Sequence, residues 1–457
     1  PYSLRFRAAN SANLRKTFSS ASTNFDVQTI SLWFKRGRLT LTDSPIANCL
    51  ITQFGPGGNY PTFELGFEPS SDQLVFMNRS ASTSYNHRLV TTAQYRDPSA
   101  WYHIVVATDT TQATASNRVK IYVNGVQVTA LTSTTYPTQN STSYFNTNAV
   151  TLNIGRSTNA SLYLDGYLTE INFIDGQALT PSSFGETDSI TGVWKPKAFS
   201  GTYGTNGFEL NFSDNSNNTA ATIGKDYSGN GNNWTPNNIS VTAGATYDSM
   251  TDVPTLTSAT AANYCTWNPL VAGTSSYLSN GNLTASISAS NTNVLGTMQL
   301  PTSGKFYWEY QITTIASSGA PMGGIASSTT TSPAVFYRAD GNKIVDGTQT
   351  SYGATYTTTD TIGVAVDVTG GTVVFYKNNT SQGSITYASS GLFPALRSNA
   401  GTDVFNVNFG QQPLVYTPPT GFVALNTYNL PASTITNGAA YMAATLYTGD
   451  GTTNKSI

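Results

Sequence analysis

The chain has 457 residues, of which 10% are charged and 39% hydrophobic, and its formal net charge is −2. Globular proteins carry about 25% charged residues, so this surface is uncharged Ser, Thr, Asn and Gly, with no electrostatic footprint for nucleic acid or an anionic membrane. The length allows roughly two to four domains with cores of their own, and no apolar run reaches the roughly 18 residues that cross a bilayer as a helix.

Residue types favour pleated surfaces. Tyr (26) and Phe (21) are abundant beside Thr and Val, whereas the helix formers Glu, Lys and Leu are thin. The expectation is an all-β fold: two antiparallel β-sandwich (jelly-roll) domains in tandem with a short C-terminal extension. Cys49 and Cys265 fall in different expected domains, so one disulfide is conceivable but a disulfide framework is not; two buried free thiols is the simpler expectation.

In chain order, residues 2–6 and 13–18 alternate as strands. Residues 26–35 carry bulk on both faces, which predicts a strand inside a sandwich. Strands follow at 49–54, 62–67 and 73–78. Residues 101–128 read as a meander: an apolar strand ending at Asp109, a polar reversal, a strand over 118–123, and Asn124-Gly125 as a tight turn. A polar loop spans 132–148, and strands at 149–155 and 165–173 complete the pattern.

The segments SLWFKRG, WYHIVVATD, VKIYVNGVQV, LNIGRS and LDGYLTEINFIDGQALTPSSFG, in this order, resemble the laminin-G/concanavalin-A-like jelly roll over residues 1–185. That resemblance implies two curved sheets with ligands at a loop rim or on the concave face. One departure concerns residues 207–234, whose DYSGNGN segment opens the domain in many relatives but here follows its last strand. Residues 208–212 and 234–241 are therefore expected to fold back as appended or permuted strands, the alternative being a separate small subdomain. The first domain is set at 1–242.

Residues 243–262, rich in Thr, Ala, Ser and Asp, read as a linker. A second domain is set at 263–430, with strands at 281–289, 304–312 and 322–326, and a meander over 361–383 turning at Gly370-Gly371. Strands at 391–395 and 404–410 follow. FYWEY, GVAVDVTGGTVVFYKN, LFPAL and VNFGQQP resemble a SPRY-type sandwich over 263–426; the resemblance implies protein binding through loops at one end and no catalysis. Residues 431–457 form a C-terminal segment, with a strand-like YMAATLYTG leading to a further β-unit.

Chemistry is sparse. Glycoside hydrolysis needs two carboxylates across one bond, but Glu170 and Asp175 are five apart and an unbroken strand points them to opposite faces. His87 and His103 are the only histidines, too few for a multi-His metal site. His87 reads as exposed in a polar loop and His103 as a structural hydrogen-bonding group. Glycine runs at 55–58 and Gly323-Gly324 read as turns. Asp109 and Asp367, each alone at a reversal, read as turn residues.

A cofactor is not expected. Calcium is the one metal with candidate ligands, Asp214 and Asp226 with Asn215 and Asn217, or Asp165 with Asp175, although turn roles compete for the same side chains. For sugar, an aromatic platform is conceivable from Trp194, Tyr203 and Trp234, and loop candidates in the second domain are Tyr337, Arg338 and Asp340. Asn-x-Ser/Thr sequons at Asn78, Asn140, Asn159, Asn238, Asn282 and Asn378 carry little weight in so Asn-rich a chain.

The pairing of the two modules resembles large structural proteins of tailed bacteriophages. It implies a non-enzymatic virion surface protein, either a tail fibre or appendage component or a capsid decoration. The expected partners are other virion proteins, further copies of the chain and host surface glycans, with no nucleic acid and no membrane insertion. The start PYSLRFRAAN lacks a signal-peptide apolar region, so the expectation is synthesis in a host cytoplasm and an extracellular life on the particle, or a leader already removed. The alternatives are the carbohydrate-binding modules of a secreted carbohydrate-active enzyme, and a cellular adhesin.

Overall fold

The computed structural model describes residues 2–41, 47–55, 60, 62–142, 145–157, 162–272, 276–288, 292–316, 320–329, 333–399 and 401–435. The strand-like piece expected near the C-terminus and the sequon at Asn159 lie outside the described residues.

Alternating apolar residues build the first sandwich. One sheet runs in the order Val126–Gln127, Val119–Val123, Trp101–Asp109, Val27–Arg36, Gly166–Asp175, Ser3–Phe6 and Ser249–Met250. The facing sheet runs Leu131–Thr135, Tyr85–Gln94, Gln73–Arg79, Thr62–Phe67, Ala47–Gln53, Thr151–Ile154, Asn13–Thr17 and Thr235–Asn237. Ile30, Leu32 and Phe34 point inward and join Leu50, Phe63 and Phe76 in one core. The turn at Asn124-Gly125 forms as expected, with the Asn124 N–H donating to the His103 carbonyl.

Residues after 205 complete this sandwich. Phe208–Leu210 pairs with Gly166–Asp175, and Thr235–Asn237 pairs with Asn13–Thr17. Trp234 anchors the return, fully buried with its ring 4.8 Å from that of Phe208. Strand Gly166–Asp175 thus carries Ser3–Phe6 and Phe208–Leu210 along one edge, one beyond the other. A bulge on its opposite edge, between Thr169 and Asn172, holds Glu170 at φ +47°.

The second sandwich opposes two more antiparallel sheets. One runs Ser276–Ser279, Thr284–Ile287, Asp403–Asn408, Lys305–Thr314, Thr361–Asp367, Thr372–Lys377 and Thr380–Thr386; the other runs Val294–Leu295, Phe393–Arg397, Met322–Ala326, Ala334–Arg338, Asn342–Val345 and Thr348–Ser351. The meander turns where expected, and Asp367 accepts the Gly370 N–H at 2.7 Å. Gly323-Gly324 is a correction: it sits inside a strand. A Cβ on Gly324 would collide with the Val335 carbonyl of the neighbouring strand, so glycine there serves close strand approach.

The expected linker is also corrected. Ser249–Met250 pairs with Ser3 and Leu4 as the last strand of the first sheet. The Thr251 N–H then donates to the Gln411 carbonyl of the second sandwich at 2.9 Å. Its aspartates made the stretch look solvated; instead Asp248 and Asp252 are buried ion-pair partners.

Candidate functional site

The seam between the sandwiches carries an extended buried polar network. Trp33, Lys35, Trp101 and Tyr167 stand on the outer face of the first sheet, opposite in parity to the core residues. A solvent-facing sheet would not carry them. Trp33, Trp101, Tyr167 and Met250 pack into one apolar cluster with Trp267, Leu283 and other residues of the second sandwich.

Charge is threaded through that cluster. Lys35 Nζ donates to Asp252 Oδ2 at 2.7 Å, to Asn263 Oδ1 at 2.7 Å and to the Tyr264 carbonyl at 2.8 Å, so its three donors are used. Trp101 Nε1 donates to the other oxygen of Asp252 at 3.0 Å. Burial pushes the Asp252 carboxyl upward and the Lys35 ammonium opposes the shift. Arg5 and Arg7 both hold Asp248, through Nε at 3.2 and 2.7 Å.

Asp165 accepts the N–H groups of Asn280 and Gly281 at 2.9 and 2.7 Å, and Tyr167 donates to the Gly281 carbonyl at 2.7 Å. Gly281 has φ +67°, and a Cβ there would strike the Tyr167 ring. Only glycine permits this approach.

The residues expected to form a sugar platform are not brought together. Trp194 is half-buried and donates from Nε1 to His103 Nδ1 at 2.9 Å. Tyr203 packs with Phe184 and Ile174, and its hydroxyl, with one proton to give, lies 3.0 Å from Asn172 Oδ1 and 2.9 Å from Glu209 Oε2. Trp234 is in the first core. Each fills a different apolar cluster, because large rings in a weakly charged chain are consumed by packing.

In the second domain Tyr337 is buried and donates to the Ala354 carbonyl, whereas Arg338 and Asp340 pair with each other at 2.8 Å near the surface. Strand alternation sends Tyr337 inward and Arg338 outward, so these three do not converge.

The calcium candidates act as turn acceptors. Asp226 takes N–H groups of Glu209 and Ser228 on Oδ1 and of Asn232 on Oδ2, at 2.7–2.9 Å. Asp214 accepts from Ser216. Asp165 binds the seam, and Asp175 accepts from Ser22, Thr23 and Asn206, so the two aspartates do not share a site. Among the described residues no three His, Cys, Asp or Glu side chains are grouped to hold a metal ion. Cys49 and Cys265 are both free and buried.

His103 has a defined tautomer. Nδ1 accepts from Trp194, so Nε2 carries the proton and donates to Ser31 Oγ at 2.8 Å. A serine nucleophile needs the reverse polarity, an unprotonated nitrogen facing its hydroxyl and a carboxylate behind the ring. The ring lies 4.7 Å from that of Trp33, nearly parallel, and burial lowers its pKa to about 3.

His87 is another correction. It is buried in strand Tyr85–Gln94, stacked 4.6 Å from Phe76, and burial lowers its pKa to about 3. It lines a cleft of about 470 Å³ at one open end of the first sandwich, between the sheets. Register partnership with Asn78 places both residues on the inward row that carries Phe76 and Leu89. The legible signal was that parity with Leu89; the flanking Asn, Arg and Ser obscured it.

A family model described as the concanavalin A-like lectin/glucanases superfamily, of laminin G type, matches residues 10–184, and one described as the SPRY domain matches residues 305–412. Among solved structures, stonustoxin is 21% identical over 32% of this chain and 27% of its own length, with a TM-score of 0.27. The SPRY domain of human HERC1 is 22% identical over 31% of this chain and 96% of its own, at TM-score 0.27. A heptameric SAP-like pentraxin from Limulus polyphemus is 14% identical over 39% and 77%, at TM-score 0.28. Likenesses this low carry no argument about activity. The chain contains a concanavalin A-like, laminin G-type domain followed by a SPRY domain.

Proposed function

We propose that this chain is a non-catalytic structural and binding component of a virion surface, a tail appendage or capsid decoration, that assembles with other virion proteins and with further copies of itself. The two domain types suit binding or structural roles; the virion setting is our reading of their pairing in so uncharged a chain. The observation that carries the reading is the seam. Two buried ionic and hydrogen-bonded clusters, around Asp252 and Asp165, tie the sandwiches into one body. A tandem of independent binding modules has no need of such a join, whereas a surface element under mechanical load does.

The low charge supports an exterior that is soluble without attracting polyions. The polarity of the Ser31–His103 pair and the use of Asp226 and Asp175 as turn acceptors also favour a non-enzymatic role. Mass spectrometry of purified particles from the source of this sequence should find its peptides at a stoichiometric level. Particles that lack them overturn the proposal.

A further inference from the structure

We propose that Lys35 and Asn263 join in an intramolecular isopeptide bond, with Asp252 as the proton-transfer group, that staples the first sandwich to the second. The bond goes beyond the virion reading and does not depend on it.

Lys35 is the only buried lysine among the described residues, and its side chain is 0% exposed. One carboxylate is enough to neutralise it. Here Nζ has Asp252 Oδ2 at 2.7 Å and also an uncharged primary amide, through Asn263 Oδ1, at 2.7 Å. The surroundings are apolar: Nζ lies 5.9 Å from the centroid of the Tyr167 ring, and the buried Trp101 and Tyr264 donate from Nε1 and the backbone N–H to Asp252 Oδ1. A desolvated amine, a carboxyl and an amide in contact are the three groups that aminolysis of an amide needs.

The amide is oriented for that reaction. The Lys35 ammonium donates and the Ser99 carbonyl accepts, so Oδ1 faces Nζ and Nδ2 faces Ser99, which it reaches at 2.6 Å. The leaving nitrogen is thus turned away from the lysine. Asn263 and Ser99 are only half-buried, which gives ammonia a way out. A C=O bond of about 1.2 Å puts Cγ within about 4 Å of Nζ, and attack needs about 3–3.5 Å, a small rotation away. Both backbones are held: Lys35 pairs with Tyr167 and Trp101 on the flanking strands, and Asn263 exchanges hydrogen bonds with Thr427. Reactants fixed in this way need no encounter.

The steps balance without a further reactant. Burial raises the Asp252 carboxyl above its usual range, so it takes a proton from the Lys35 ammonium and the pair becomes neutral. The amine forms a bond to Asn263 Cγ while the Asp252 proton moves to Oδ1. The Cγ–Nδ2 bond then breaks, Nδ2 leaves as ammonia with a proton given up by Nζ, and the proton on Oδ1 returns to Asp252. One Nζ–H remains on the new amide, Asp252 ends uncharged, and two buried charges have been removed. The ion pair and its energetics belong to the chain before this reaction. The product ties residues 228 positions apart, one from each sandwich.

Mass spectrometry of the purified full chain, denatured, tests the bond. The parent should be lighter than its sequence by the mass of one ammonia, and proteolysis should yield one branched peptide whose fragments place Lys35 Nζ on Asn263. Asp252→Asn and Asn263→Ala should each keep their full sequence mass and release the two peptides separately. A parent of full mass overturns the bond. So does an ammonia loss confined to one linear peptide, as a cyclised asparagine would give, a join to Asp252 with loss of water, or a join that persists in Asp252→Asn. Where a variant misfolds, the parent's branched peptide still decides.

Discussion

Glu170 shows how one residue is held against its preference. It sits in the left-handed region at φ +47°, where a non-glycine residue costs about 1–2 kcal/mol. Burial first, and the nearby Glu209 second, raise its carboxyl from 4.5 to about 7. A raised folded-state pKa means the favourable contribution is complete below pH 4.5 and lost as pH rises through about 7. Glu170→Gln should therefore stabilise the protein at pH 8 by up to about 3 kcal/mol and have little effect at pH 4. Glu170→Gly should add the relief of backbone strain at every pH. Urea denaturation at the two pH values checks both.

The two histidines work in the opposite direction. Each is depressed from 6.5 to about 3 by burial, so its contribution is complete above pH 6.5 and lost on acidification, at about 1.4 kcal/mol per pH unit for each residue. Between pH 6.5 and 4.5 Glu170 offsets about half of that loss. His103→Phe retains the stacking on Trp33 but strands Trp194 Nε1 and Ser31, which should cost about 1–3 kcal/mol at pH 7 and flatten the acid limb. Thermal melts between pH 4 and 8 would show a parallel shift if this account is wrong.

At the scale of elements, the local devices were readable and the distant ones were not. Asn124-Gly125, Gly370-Gly371 and the alternation of residues 101–109 are contained within a few residues, so pattern alone located them. The expected linker failed because its meaning depends on Arg5, Arg7 and Lys35, more than 200 positions away. Asp and Ser-Thr composition normally marks solvent; a buried cation reverses that reading. The aromatic platform failed for a related reason, since Trp234 and Tyr337 have the composition of a binding surface and the parity of a core.

The seam is the element with the sharpest energetic consequence. Removing one partner of a buried pair leaves an uncompensated charge, at about 3–5 kcal/mol. Lys35→Met should lose that much in urea denaturation, and adding Asp252→Asn should recover most of it. Gly281→Ala should loosen the join without touching either core, visible as faster proteolysis near residues 276–284 while both sandwiches still melt cooperatively. Asp226, whose oxygens already receive N–H donors, should give no heat on calorimetric titration with Ca²⁺.

At the scale of the whole molecule, two sandwiches of different type share one apolar cluster and one ionic network. Their relative orientation is set by chemistry and not by a tether. The most direct measurement is electron cryo-microscopy of native particles with the full chain fitted as one rigid body. The account predicts two-lobed density on the particle exterior that accepts both sandwiches in a single fixed orientation. Density that requires the lobes to be placed independently, or particles with no such density, would contradict it.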